Sequence, residues 1–134
     1  MKKLIIIFLF LATVFYSCKK STLNMWNNDI AGTWALKHIS GGLAGIDSTV
    51  TENITIKFEE NGKYTSAQNN AVQATGNYSL TKANGSADYG SETLLNLFFE
   101  NNNTVTYGIT ISNDSLFLGK GCCDQFGYLY VRQK

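Results

Sequence analysis

Between Glu52 and Glu59 the chain alternates without a break, with Ile54, Ile56 and Phe58 on one side and Thr55, Lys57 and Glu59 on the other. A period of two marks a strand with one face against a core and the other in water. The next four residues dictate how that strand turns. Glu60-Asn61-Gly62-Lys63 carries an Asn-Gly pair, the strongest short-range hairpin signal, and Tyr64 opens a return strand running to about Ala67.

The same pattern recurs along the chain, with hardly a convincing helix. Gly32–Ser40 reads as a strand with Trp34, Leu36 and His38 on one face, and Gln73–Lys82 as another with Tyr78 and Leu80 sharing a face. Glu92–Phe99 and Thr104–Ser112 are joined at Asn101-Asn102-Asn103, Asn113-Asp114 leads into Ser115–Gly119, and the last strand is Phe126–Arg132. There is no proline, and the asparagines fall between apolar runs, where their side chains bond local backbone and tolerate left-handed conformations. Gly41–Gly45 and the Gly- and Ser-rich Ala83–Ser91 read as loops. The result is about eight strands with short links, the spacing of an all-β sandwich or barrel. Short links favour pairing between sequence neighbours. Closure would remove exposed sheet edges. A small antiparallel up-and-down β-barrel is therefore expected, with an open sandwich of the same strands as the alternative. Its inward positions would be Ile54, Ile56, Phe58, Tyr78, Leu95, Leu97, Phe99, Tyr107, Ile109 and Leu118.

The first eighteen residues carry a different message. Met1-Lys2-Lys3 is a positive start, Leu4 to Phe15 a nearly unbroken apolar run, and Tyr16-Ser17-Cys18 places a small residue before a cysteine. A charged start, a short apolar stretch and a small residue at the cut define a secretory signal. The run is shorter than the roughly 20 residues of a membrane span. The cut resembles a bacterial lipobox, with Phe15 where such boxes usually carry leucine. That resemblance implies cleavage before Cys18 and acylation of its thiol, and so attachment to a membrane. Two or more acyl chains make such an anchor stable. The expected organisation is a signal peptide over 1–17, a lipidated cysteine and tether over 18–28, and one barrel domain over 29–134.

Composition excludes more than it reveals. The formal charge of +1 includes Lys2 and Lys3, leaving a near-neutral remainder with no basic patch for nucleic acid. The single histidine, His38, sits near a strand end with no ligand partners in view, and neither a nucleophile elbow nor a paired-histidine motif appears. No enzyme, metal or cofactor is expected. Gly121-Cys122-Cys123-Asp124 is the unusual local feature. Outside the cytoplasm thiols tend to oxidise. Neighbouring cysteines close only a strained ring, because ordinary bridges want Cα atoms about 4.4–6.8 Å apart. A vicinal Cys122–Cys123 disulfide, two free thiols, and a metal or redox role all stay open.

Several short motifs together resemble the lipocalin-like domains of bacterial lipoproteins: Gly32-Thr33-Trp34, Glu60-Asn61-Gly62-Lys63-Tyr64, Thr75-Gly76-Asn77-Tyr78, Ser112-Asn113-Asp114-Ser115-Leu116 and Tyr128-Leu129-Tyr130-Val131-Arg132. The resemblance implies that Trp34 closes one barrel end with Arg132 across its ring, a structural pair. It also implies a cavity for a small apolar ligand, for which Ile54, Ile56, Phe58, Tyr78, Leu97, Phe99, Tyr107 and Ile109 are the candidate lining. An eight-stranded barrel either packs solid or holds one ligand. Two functions fit: capture of a small apolar molecule in the cell envelope, or a filled barrel that docks onto another envelope protein. Lys19-Lys20 after the anchor, in place of an aspartate, points to the outer membrane facing the periplasm.

Overall fold

The computed structural model describes residues 29–83, 93–121 and 125–134. The expected signal peptide 1–17, the expected lipidated Cys18 and tether to residue 28, and the pair Cys122 and Cys123 lie outside the described residues. Among the described residues the strands are β1 (Gly32–Gly41), β2 (Ile46–Thr49), β3 (Ile54–Phe58), β4 (Lys63–Gln68), β5 (Ala71–Lys82), β6 (Thr93–Phe99), β7 (Thr104–Ser112), β8 (Ser115–Gly119) and β9 (Phe126–Arg132). From β3 to β9 each pairs antiparallel with the next, and β9 returns to β1. Strand β1 has two partners on its other edge: Gly32–Ala35 pair with β3 and His38–Gly41 with β2. Strands β2 and β3 therefore share one position in the wall. The product is a closed eight-strand antiparallel barrel, and the open sandwich is excluded.

Asparagine chemistry sets the turns. Asn69 and Asn70 hold φ of 51° and 66° between the paired Gln68 and Ala71, a two-residue turn with both central residues left-handed. The β3–β4 turn closes with Glu59 N to Lys63 O at 2.8 Å and Gly62 N to Glu59 O at 3.0 Å, and Gly62 takes φ 81°. The β6–β7 turn repeats that design: Phe99 N to Asn103 O is 2.9 Å, Asn102 N to Phe99 O is 3.1 Å, and Asn102 takes φ 61°. In each, an asparagine carboxamide oxygen accepts from the backbone two residues on, Asn61 from Lys63 at 3.0 Å and Asn101 from Asn103 at 3.2 Å. Both are three-residue loops ending in a left-handed residue.

The up-and-down course sorts the connections between two ends. The start of β1, the β3–β4 and β7–β8 turns and the end of β9 lie at one end. The β1–β2, β4–β5, β6–β7 and β8–β9 connections lie at the other. The first end is packed shut. Ile30 and Trp34 are fully buried there, Phe58 meets Tyr78 edge to face with centroids 5.0 Å apart, and the Tyr78 hydroxyl donates to Glu59 O at 2.9 Å. Trp34 Nε1 donates to Ile30 O at 2.7 Å, which satisfies the indole inside the core.

One expectation about the inner face is corrected. Strand β1 carries an extra residue between Leu36 and His38 relative to β9. Such a bulge shifts the alternation by one. Leu36 therefore faces inward opposite Tyr130, but His38 lies opposite Leu129 on the outer face. Its imidazole meets the Asp47 carboxylate of β2, which is 79% exposed. His38 does not share the inward face of Trp34 and Leu36.

Candidate ligand cavity

Above the packed floor the interior stays open. A cavity of about 240 Å³ is lined by Ile56 (β3), Tyr64 and Ser66 (β4), Leu97 and Phe99 (β6), Tyr107 (β7), Leu118 (β8), and Tyr128 and Tyr130 (β9). Alternation explains the set, because the register carries one inward residue to the next: Ile56 opposite Ser66, Leu118 opposite Tyr128, and Leu116 opposite Tyr130. Phe99, Tyr107, Tyr128 and Tyr130 are only half-buried, so the cavity reaches solvent toward the end opposite Trp34. A larger groove of about 340 Å³ runs over Lys63, Thr65, Thr75, Asn77 and Glu100, on the outer surface of β4 and β5. Most of its lining residues are polar, and Tyr64 and Gly76 of the wall also border it.

A glycine makes room for the deepest ring. Gly76 of β5 stands opposite both Tyr64 and Phe99. A Cβ there would come within 2.0 Å of the Phe98 carbonyl oxygen and 2.9 Å of the Tyr64 ring. Its absence lets Tyr64 lie across the wall, edge to face with Phe99 at 5.9 Å.

Among the described residues no charged side chain lines this cavity, and its polar lining residues are Tyr64, Ser66, Tyr107, Tyr128 and Tyr130. Burial pushes the Tyr130 phenol far above its ordinary value near 10, with Tyr107 and Tyr128 adding to it. Burial likewise raises Tyr107, helped by Tyr128, and Tyr64, helped by Tyr107. These mutual effects place Tyr64, Tyr107, Tyr128 and Tyr130 in one neighbourhood. Tyr107 and Tyr128 meet edge to face at 6.2 Å, and Lys120 Nζ stands 5.9 Å from the Tyr107 ring centre at the rim. Tyr64 is 2% exposed, and its hydroxyl is buried without a hydrogen-bond partner among the described residues.

Of the residues that sequence singles out as candidate lining, Ile56, Leu97, Phe99 and Tyr107 come together around this space. Phe58 and Tyr78 belong to the packed floor, and Ile109, 1% exposed, lies within the core. Ile54 sits half-buried at the start of β3, opposite Gln68. Tyr64, Ser66, Leu118, Tyr128 and Tyr130 complete the lining and are not among the candidate lining residues, although Leu118 is among the expected inward positions. For the two late tyrosines alternation alone leaves the inward face undecided.

At the floor, the Arg132 guanidinium lies 4.1 Å from the Trp34 ring centre, donates to Ala31 O at 2.6 Å and also reaches the Asp29 carbonyl. Asp29 and Ile30 are helical, so the cation sits where backbone carbonyls emerge from a helical turn. Gly32, with φ 133°, leaves the space that the guanidinium fills: a Cβ there would stand 2.6 Å from Nη1.

A closed eight-strand antiparallel barrel, sealed at one end and hollow toward the other, is a lipocalin-like fold. A similar solved structure is a lipocalin-like protein from Bacteroides uniformis, at a TM-score of 0.55 and 17% identity, the match covering 78% of this chain and 99% of that one. No protein-family model matches the sequence, and no curated protein matches it significantly. At that identity the likeness speaks for the fold.

Proposed function

We propose that this protein is a lipid-anchored binding protein of the cell envelope that takes one small, largely apolar molecule into its barrel. The observation that carries the reading is the cavity of about 240 Å³. It is hollow where a packed barrel would be filled, walled largely by apolar and aromatic side chains, and among the described residues it opens toward the end opposite Trp34. Pockets for drug-sized ligands run to roughly 300–1,000 Å³, so the occupant is smaller than those. The anchor rests on the lipobox-like segment ending at Cys18. The Lys19-Lys20 pair favours the outer membrane, facing the periplasm.

Two experiments test this. The first uses intact mass and N-terminal analysis of the protein isolated from envelopes, with protease shaving of whole cells. The reading expects an acylated Cys18 start that resists protease from outside; an unacylated protein, or one starting elsewhere, overturns the anchor. The second uses the Cys18→Ser protein, so that no acyl chain competes for the cavity, titrated with an apolar fluorophore. Enhancement that Leu97→Arg abolishes is expected, and no enhancement counts against capture.

A second reading, docking onto an envelope protein, draws on the exposed Leu43, Phe117 and Phe126, at 89%, 43% and 37% exposure. The hollow interior favours capture.

A further inference from the structure

The depth of the hollow narrows what can fill it. We propose that the molecule this cavity encloses is a flat system of one or two fused rings, and that the small side chain of Ser66 sets that limit. The proposal rests on reading the interior as a ligand site and names the class of its occupant.

Depth follows from the strands. On β4, β6 and β9 the lining residues come in pairs two positions apart, Tyr64 and Ser66, Leu97 and Phe99, and Tyr128 and Tyr130, while β3, β7 and β8 give one each. Two positions along a strand span about 7 Å, so the space is two inward layers deep. Beneath it Trp34, Phe58 and Tyr78 are buried in the packed floor and stop anything longer. Volume agrees: an apolar cavity of about 150 Å³ holds benzene, so about 240 Å³ accommodates one ring with a substituent or a fused pair.

Flatness follows from the walls. Phe99, Tyr107 and Tyr128 line the space, and edge-to-face contact with another ring is a geometry such side chains favour. Tyr64 and Phe99 meet each other in that way, as do Tyr107 and Tyr128. A long alkyl chain would have to coil within two layers and give up its internal rotations, whereas a fused ring system has none to lose.

Ser66 keeps the space open. Eight of the nine lining residues are bulky, and Ser66 is the exception. It stands opposite Ile56 on β3 and the small Ala74 on β5. A leucine at this position would carry a branched side chain into the hollow, at the expense of the second ring.

The probes are uncharged, because among the described residues no charged side chain lines the cavity to meet an ion. p-Cresol, 2-naphthol and 9-phenanthrol carry one, two and three rings with a hydroxyl each, and 1-decanol matches 2-naphthol in carbon count as an open chain. Each would be titrated into the Cys18→Ser protein and into the same protein carrying Ser66→Leu, followed by NMR shifts of the cavity residues. The expected result is that 2-naphthol binds at least about tenfold tighter than 1-decanol or 9-phenanthrol, and that Ser66→Leu weakens 2-naphthol about tenfold while leaving p-cresol within about twofold. Retained p-cresol binding also certifies that the variant is folded. Should leucine unfold the barrel, read from its melting transition, Ser66→Val takes its place with the same outcomes. Decanol binding as tight as 2-naphthol overturns the ring assignment, and phenanthrol binding as tight overturns the two-ring limit. Equal losses for p-cresol and 2-naphthol in a folded variant, or no loss for either, overturn the role of Ser66. Failure of all four probes against a protein that binds the apolar fluorophore overturns the size and ring class alone. Failure of the fluorophore as well overturns the binding reading.

Discussion

Arg132 and Trp34, at opposite ends of the barrel sequence, stack with the guanidinium 4.1 Å from the indole centre, and the same guanidinium holds the Ala31 carbonyl at 2.6 Å. The last residue of β9 thereby locks the entrance to β1. A cation over an indole contributes about 0.5–2 kcal/mol, and a stranded carbonyl costs about 1–3 kcal/mol more. Arg132→Ala should lower unfolding stability in urea by about 2–4 kcal/mol. Arg132→Lys should recover less than half, since an ammonium neither stacks flat nor forks between two carbonyls. A full recovery by lysine would mean that charge alone matters here.

Tyr64→Phe should behave unlike most core changes. Removing an unpaired buried hydroxyl relieves a desolvation cost, so the empty barrel should gain up to about 1 kcal/mol. Thermal unfolding without ligand reads this directly. A loss above about 1 kcal/mol would reveal an acceptor for that hydroxyl within the protein.

Gly76→Ala should be costly. The added methyl would sit 2.0 Å from the Phe98 carbonyl oxygen and press the Tyr64 ring. Overpacking of this kind costs about 1–3 kcal/mol. Here it also forces β5 from β6, so a loss at or above the top of that range is expected, together with a shifted Tyr64 ring resonance. An unchanged denaturation midpoint would show that the wall yields easily.

The two matched turns offer a comparison within one molecule. Asn102 holds φ 61° where Gly62 holds φ 81°. Asn102→Gly should gain about 0.5 kcal/mol by relieving the left-handed side chain, less the entropy of a freer unfolded chain. Gly62→Ala should lose about 1 kcal/mol or more, for the converse reason. Paired urea melts would expose any reversal of sign.

Alkaline pH should unfold the barrel through its tyrosines. Burial raises the Tyr130 phenol above its ordinary value near 10. A raised folded-state value means that the stability it contributes is fully present below about pH 10, where the phenol is neutral folded or unfolded. It is lost as pH rises beyond that, because the unfolded chain ionises first. Denaturation midpoints should therefore be flat from neutral pH to about 9, then fall. Tyr130→Phe should make that fall shallower, with phenolate absorbance tracking the difference.

Much of the wall is legible in the sequence alone. Thr104–Ser112, Ser115–Gly119 and Phe126–Arg132 stand as strands between the residues that alternation and asparagine turns suggest. Strand β2 is not: Ile46–Thr49 is short and exposed throughout, so no buried face imprints a pattern on it. Counting by twos puts His38 on the wrong face because a bulge depends on pairing with β9, and such counting assumes an unbroken register. The cavity is only partly readable. Ile56, Leu97, Phe99 and Tyr107 follow from alternation, but whether an inward residue meets a neighbour or a void depends on barrel shear. Tyr64 gains its unusual setting from Gly76, remote in sequence and directly opposite in register.

Because β1 and β9 are neighbours, with Gln133 N bonded to Thr33 O at 2.8 Å, the chain enters and leaves the barrel side by side at its sealed end. If Cys18 carries the proposed anchor, the mouth would look away from the bilayer and exchange the proposed ligand with the aqueous compartment. Circular permutation would invert the vessel: joining the old ends and reopening the chain between Asn69 and Asn70 puts the leash on the rim, mouth down toward the lipid.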